Sequence, residues 1–271
     1  MKIFDCFSYW DEDLLLDLRL HILNDYVDYF VIVEGNKTWQ NNPKKLIFDI
    51  NKFSKFREKI IYVPVENLPD GDNPYLRENF QRNCICRGLI NSKDDDWIII
   101  SDLDEIPNPN KIINFNSKMK YAVLKQKHFY YKFNLQSKTN PFWYGSRICV
   151  KKFMKSPQWI RELKFKKRPF WRIDKYRLNN ILENGGWHFC NLKKPKMLLH
   201  KYKNLCETND PIHFKEKISK KYLNINEIKN RINKKFDLIG RDDEFIKIKF
   251  DNSYPNYLIK NKKKYLEWFE L

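Results

Sequence analysis

The sequence predicts an α/β protein with a mostly parallel, Rossmann-like sheet flanked by helices, and three observations carry that expectation. Apolar strand-like runs alternate with segments of helical spacing through the first 120 residues. The shortest and most apolar of these runs, Trp97-Ile-Ile-Ile100, opens directly onto the acids Asp102, Asp104 and Glu105. At 42% hydrophobic and 16% aromatic, the 271 residues supply enough apolar volume for a well-filled core and exclude a disordered chain.

The elements follow in order. Lys2 to Phe7 is the opening strand. Leu14, Leu15, Leu18, Ile22 and Leu23 recur at helical spacing, with Asp11 or Asp13 as the cap. Tyr29 to Val33 is a buried strand ending in Glu34-Gly35, and Lys59 to Val63 is another, stopped by Pro64. A helix from Tyr75 to Ile90 carries Leu76, Phe80, Ile85 and Leu89 on one side, and the Trp97 strand follows. Such repeated alternation puts helices on both faces of a parallel sheet. The second half differs. Tyr121 to Phe133 has strand composition, Glu183 to Phe189 is a Gly-rich turn into a strand, and from Pro211 onward the pattern is helical and Lys-rich. No repeat, linker or low-complexity stretch divides the chain, so one domain over 1–271 is expected.

Charge is the second feature to explain. Lys and Arg number 52 against 34 Asp and Glu, a formal net charge of +18. Between Lys151 and Arg177 there are eleven basic residues and two acids, and Lys260 to Lys264 forms a second basic cluster. Such a field favours peripheral contact with anionic surfaces. The plainer source is a composition rich in Lys, Asn and Ile that places Lys wherever solvent allows. No RNP, KH or helix-turn-helix signature accompanies the charge, so specific nucleic-acid binding is not expected. No signal peptide opens the sequence, and no apolar run approaches the roughly 18 residues of a membrane span. A soluble chain is expected in the cytoplasm, that of the host were the source viral. The six cysteines have no Cys-x-x-Cys spacing and read as reduced, mostly buried thiols.

The acids after Ile100 carry the chemistry. Ligands of open α/β sheets bind beyond the carboxyl ends of the strands, which is where Asp102, Asp104 and Glu105 stand. The order Asp-x-Asp offers hard oxygens to Mn²⁺ or Mg²⁺, and an ion there can hold the diphosphate of a nucleotide-sugar. The alternative is an acidic turn that caps the next helix.

Several segments in order resemble glycosyltransferase family 17, the family of the bisecting β-1,4-N-acetylglucosaminyltransferase. They are Phe4-Asp5, the helix start from Glu12 to Arg19, Tyr29-Phe-Val-Ile-Val-Glu34, Pro43-Lys-Lys-Leu46, Glu78-Asn-Phe-Gln-Arg-Asn83, Ser101-Asp-Leu-Asp-Glu-Ile-Pro107, Gly185-Gly-Trp-His188 and Pro255-Asn-Tyr-Leu258. The resemblance implies a GT-A-like single domain, with a nucleotide-sugar-binding half over 1–120 and a mixed acceptor-side half over 121–271. It also implies a UDP-sugar donor, UDP-GlcNAc in the known member, a glycan or glycoprotein acceptor, and inversion at the anomeric carbon. In that frame Asp104 is the first ion ligand, Asp102 touches the ion through water or holds the ribose, and His188 completes the ion or diphosphate site. Glu105 caps the following turn or orients a donor hydroxyl. Trp187 packs on a sugar ring, Arg82 reaches the diphosphate or pairs with an aspartate, and Glu34, Thr38 and Lys44 contact the nucleoside. The general base is sought in Glu183 or Asp210. A nucleotide-sugar hydrolase or degenerate transferase, and a basic nucleic-acid-binding protein, are the competing functions.

Overall fold

The computed structural model describes residues 1–165, 180–209, 222–239, 241 and 243–271. Among them eleven strands share one sheet. They are β1 (Ile3–Ser8), β2 (Tyr29–Gly35), β3 (Ile60–Val65), β4 (Trp97–Asp102), β5 (Glu105–Pro107), β6 (Tyr121–Tyr130), β7 (Leu135–Ser137), β8 (Phe142–Trp143), β9 (Arg147–Val150), β10 (Ile181–Cys190) and β11 (Phe245–Lys247). The order across the sheet is β11-β7-β6-β9-β4-β1-β2-β3, with β10 joined to β6 and β5, and β8 joined to β6. From β4 through β1 and β2 to β3 every pairing is parallel. Beyond β4 the sheet is mixed: β9 runs antiparallel to both β4 and β6, while β10 runs parallel to β6. The predicted α/β class with a parallel first half is what forms.

Strand alternation explains how both faces are filled. Phe30, Ile32 and Ile99 join the core on one face, and Val31, Val33, Ile98 and Ile100 join the core on the other. Successive side chains of a strand point to opposite faces, so an unbroken apolar run is what a doubly covered sheet requires. Helix α1 (Asp13–Leu23) covers the first face with α8 (Asn256–Lys260), and α2 (Pro74–Asn83), α3 (Ile85–Gly88) and α5 (Pro157–Glu162) lie over the second. The remaining helices are α4 (Pro109–Ile112), α6 (Pro195–Asn204) and α7 (Ile225–Lys234).

Four local expectations change. Pro64 does not stop its strand but lies within β3, because β3 is the sheet edge and needs no donor on its outer side. Neither Asp11 nor Asp13 caps α1: Glu12 occupies that position without a side-chain cap bond, and Asp13 instead accepts from the Tyr9 hydroxyl at 2.5 Å. The helix predicted from Tyr75 to Ile90 divides at Cys84; Ile85 and Leu89 are buried as expected, but Leu76 is exposed and the first part buries Arg77, Gln81 and Arg82 instead. The Gly-rich turn into a strand expected over Glu183 to Phe189 is strand throughout, part of β10 and carried by a bulge between Leu182 and Gly186. Gly186 has φ of +141° there, and a Cβ would stand 2.1 Å from the carbonyl oxygen of Ile106, so only glycine lets β10 pass β5. The Lys-rich stretch after Pro211 lies partly outside the described residues, and within the described part β11 is a strand.

Candidate active site

The backbone between β4 and β5 must turn while buried, and its carbonyl oxygens then need donors from the protein. Arg19 on α1 supplies them. Its Nη1 donates to the carbonyls of Asp102 at 2.9 Å, Leu103 at 3.0 Å and Glu105 at 3.0 Å, and its Nη2 donates to the Ser101 hydroxyl at 2.5 Å. Asp5 on β1 holds the same guanidinium at 2.7 and 2.6 Å, and both side chains are fully buried. One planar fork therefore sets the path of the whole acidic turn.

The three acids then diverge. The Asp102 carboxylate accepts from Arg161 Nη2 at 2.6 Å and from Arg82 Nη2 at 3.4 Å. Glu105 is wholly buried and accepts from Arg161 twice at 2.6 Å, from the Trp143 indole at 2.5 Å and from the Ser146 hydroxyl at 3.1 Å. Burial alone would raise its pKa, but the Arg161 guanidinium outweighs it and brings the carboxyl down to about 2. Asp104 faces His188, with Nε2 3.3 Å from Oδ1, and lies 3.9 Å from Lys201 Nζ.

Antiparallel pairing of β5 with β10 sets Glu105 opposite His188 and so brings Asp104 alongside it. Residues two apart on a strand share a face, which places Cys190 beside His188 and turns Trp187 away. The donor atoms of Asp104, His188 and Cys190 all lie within 4.8 Å of one another. Burial opposes a charge on His188, yet Asp104 outweighs burial and lifts the imidazole to about 10. His128 stacks flat on His188, with centroids 4.8 Å apart and planes within 3°, and burial with the charge of His188 depresses it to about 3. On Lys201 the same contest ends with Asp104 holding the ammonium above its ordinary range.

These groups open into a cavity of about 270 Å³. Asp102, Asp104, Arg82 and His188 line it, together with Trp10, Trp39, Trp143, Cys190, Lys201 and Glu207. The Asp104 carboxylate suits the hard ions Mn²⁺ and Mg²⁺, whereas the imidazole and the soft thiol beside it suit Zn²⁺. Asp102, expected as an ion ligand, is not in that set because two arginines engage its carboxylate.

The other expected residues lie elsewhere. Glu105 stands behind the cavity wall and orients Arg161, so it does not reach a donor hydroxyl. Glu34 is fully buried and binds the Lys44 ammonium, the backbone amides of Ile47 and Phe48 at 2.9 and 3.0 Å, and the Tyr62 hydroxyl at 2.9 Å. Glu34 and Lys44 therefore anchor the loop after β2, and neither lines the cavity. Thr38 closes a turn in that loop, accepting from the Asn42 amide at 3.2 Å. Trp187 donates to the Ser253 carbonyl at 3.0 Å and lines a separate cavity beside Tyr254 and Asn256, because it is on the opposite side of β10 from His188. The side chain of Glu183 is 62% exposed and pairs with Lys125 at 3.0 Å, which removes it as a base at this site. Asp210 lies outside the described residues.

The residues not anticipated are Arg161, Lys201, Cys190, Glu207 and the pair Trp10 and Trp39. Arg161 is one of eleven basic residues between Lys151 and Arg177, and no local pattern separates a buried guanidinium from its solvated neighbours. Cys190 had a usable signal, its spacing of two from His188 on a strand.

Among curated proteins the human β-1,4-mannosyl-glycoprotein 4-β-N-acetylglucosaminyltransferase is 38% identical over 104 residues. The Mus musculus protein of the same name is 36% identical over 104 residues. Each match covers 34% of this chain and 19% of the relative, so the chain matches about a fifth of those proteins' length. Among solved structures, a Francisella tularensis 2-C-methyl-D-erythritol 4-phosphate cytidylyltransferase covers 75% of this chain and 99% of its own, at 11% identity and a TM-score of 0.38, too low to equate the folds. The description of glycosyltransferase family 17 matches residues 1–266, nearly the whole sequence, and the chain belongs to that family.

Proposed function

We propose that this protein transfers N-acetylglucosamine from UDP-N-acetylglucosamine to a hydroxyl of a glycan or glycoprotein, with inversion and with a bound divalent ion. The observation that carries the reading is the grouping of Asp104, His188 and Cys190 at the exit of β4, inside a cavity of a family 17 chain. When bound there, the ion supplies Lewis-acid neutralisation of the diphosphate. The residues do the rest. Arg161 and Arg82 fix the Asp102 carboxylate at the cavity rim, where it meets the ribose. Trp10 and Trp39, with ring centroids 6.1 Å apart, offer indole surface to the nucleobase. Glu207 takes the proton of the acceptor hydroxyl: burial raises its carboxyl above the ordinary range, which makes its carboxylate a stronger base than an exposed one. Glu12, Glu78, Asp102 and Asp104, the other described cavity carboxylates, are each held by a basic partner.

Thermal melting with a panel of UDP-sugars, in Mn²⁺ and in EDTA, tests the donor. A ligand that binds only the native state raises stability by mass action, so UDP-N-acetylglucosamine with Mn²⁺ should raise Tm and EDTA should abolish the rise. Asp104→Ala should stay folded and lose both the shift and transfer. The reading fails when no UDP-sugar moves Tm of the wild-type protein.

A further inference from the structure

We propose that Lys201 contacts the β-phosphate of the bound donor and stabilises it as the leaving group, an inference that rests on the donor reading above.

The other basic side chains around the cavity have partners, and Arg241, which also lines it, has Asp237 as its main charged neighbour. Arg161 is bound by Asp102 and Glu105 at 2.6 Å. Arg82 is bound by Glu78 at 2.7 Å, by Gln158 and by Asp102 at 3.4 Å. Lys193 close by is taken by Asp11 and by Glu12 at 2.9 Å. Lys201 is different. It projects from α6 into the cavity with its side chain 19% exposed, and the nearest carboxylate oxygen among the described residues is Asp104 Oδ2 at 3.9 Å, beyond hydrogen-bond reach. An ammonium has three donors and no acceptor, and a cation held this way in a largely enclosed space favours an anion that can come closer than Asp104 does. The position of Asp104 says which anion. Asp104 faces His188 through Oδ1 and Lys201 through Oδ2, so a diphosphate drawn to the Asp104 and His188 side of the cavity comes within reach of Nζ.

The chemistry balances without a further reactant. The acceptor oxygen forms its bond to C1 of the sugar, and the C1–O bond to the β-phosphate breaks with its electron pair going to the phosphate oxygen. The acceptor's proton passes to the general base. Lys201 keeps its proton and donates a hydrogen bond to the β-phosphate, whose charge grows as the bond breaks, which is where a preplaced donor lowers the barrier most.

The test measures affinity for UDP and UMP by calorimetry on the full chain with Mn²⁺ present, in wild type, Lys201→Met and Lys201→Arg. Lys201→Met should weaken UDP tenfold or more and leave UMP within about twofold, because only UDP carries the β-phosphate. Lys201→Arg should restore most of the UDP preference. Should the Met variant not fold, Lys201→Gln, polar and of similar reach, serves in its place. Wild type that binds UDP, with the neutral variant losing UDP and UMP equally or neither, overturns the role of Lys201 and leaves the donor reading standing. Wild type that binds neither nucleotide overturns both.

Discussion

Asp5 and Arg19 form a fully buried pair, 2.6 and 2.7 Å apart, that holds the acidic turn of the cavity through its carbonyl oxygens rather than its side chains. Removing one member leaves an uncompensated buried charge and unpaired carbonyls, a loss of about 3–5 kcal/mol. Arg19→Leu should therefore lower the urea midpoint sharply at neutral pH. Unchanged stability would show that the turn is held by other contacts.

Glu105 and Arg161 make stability depend on acid. The folded carboxyl sits at about 2 against an ordinary 4.5, so the pair contributes fully above pH 4.5 and its contribution fades as pH falls toward 2. The difference is on the order of 3 kcal/mol. Arg161→Gln should be less stable at pH 7 and should flatten the acid limb of stability against pH. Parallel limbs in wild type and variant would remove Arg161 as the partner that matters.

The His188 and Asp104 pair predicts a proton released on ion binding. Without an ion the imidazole is held at about 10 against an ordinary 6.5, so it stabilises the fold below pH 6.5 and that contribution is lost as pH rises through 10. A ligating imidazole must be neutral. Mn²⁺ should bind more tightly as pH rises from 6 to 9, with up to two protons released per ion, one from His188 and one from the Cys190 thiol, read by calorimetry in buffers of different ionisation heat. His188→Ala should remove the imidazole's share of that release.

Glu207→Gln tests the base. Its kcat should fall about 10²- to 10⁴-fold while UDP-N-acetylglucosamine affinity stays within about twofold. A variant with normal turnover assigns the proton to another group.

Parts of this architecture were legible because strand and helix periods are local. The Trp97 run, the mostly parallel sense of the first strands and the acids at the exit of that run follow from neighbours along the chain, since alternation and apolar runs encode burial directly. The conjunction of Asp104 with His188 was legible through residue type in a familiar order. What a side chain touches across the fold was not. Glu105 and Asp102 are near neighbours of one chemistry, yet one is sealed behind Trp143 and Arg161 and the other is open to the cavity, because the turn held by Arg19 aims them differently. Glu34 stands at a strand exit like Asp102 but folds back onto its own loop. Trp187 and His188 are adjacent in sequence and belong to different cavities. The chain alone thus determined its class, its first four strands and the acids it brings to the sheet rim. Tertiary packing decided which charged groups cancel one another and which open to the cavity, because electrostatic energy depends on distances that residues far apart in sequence set only once they are packed.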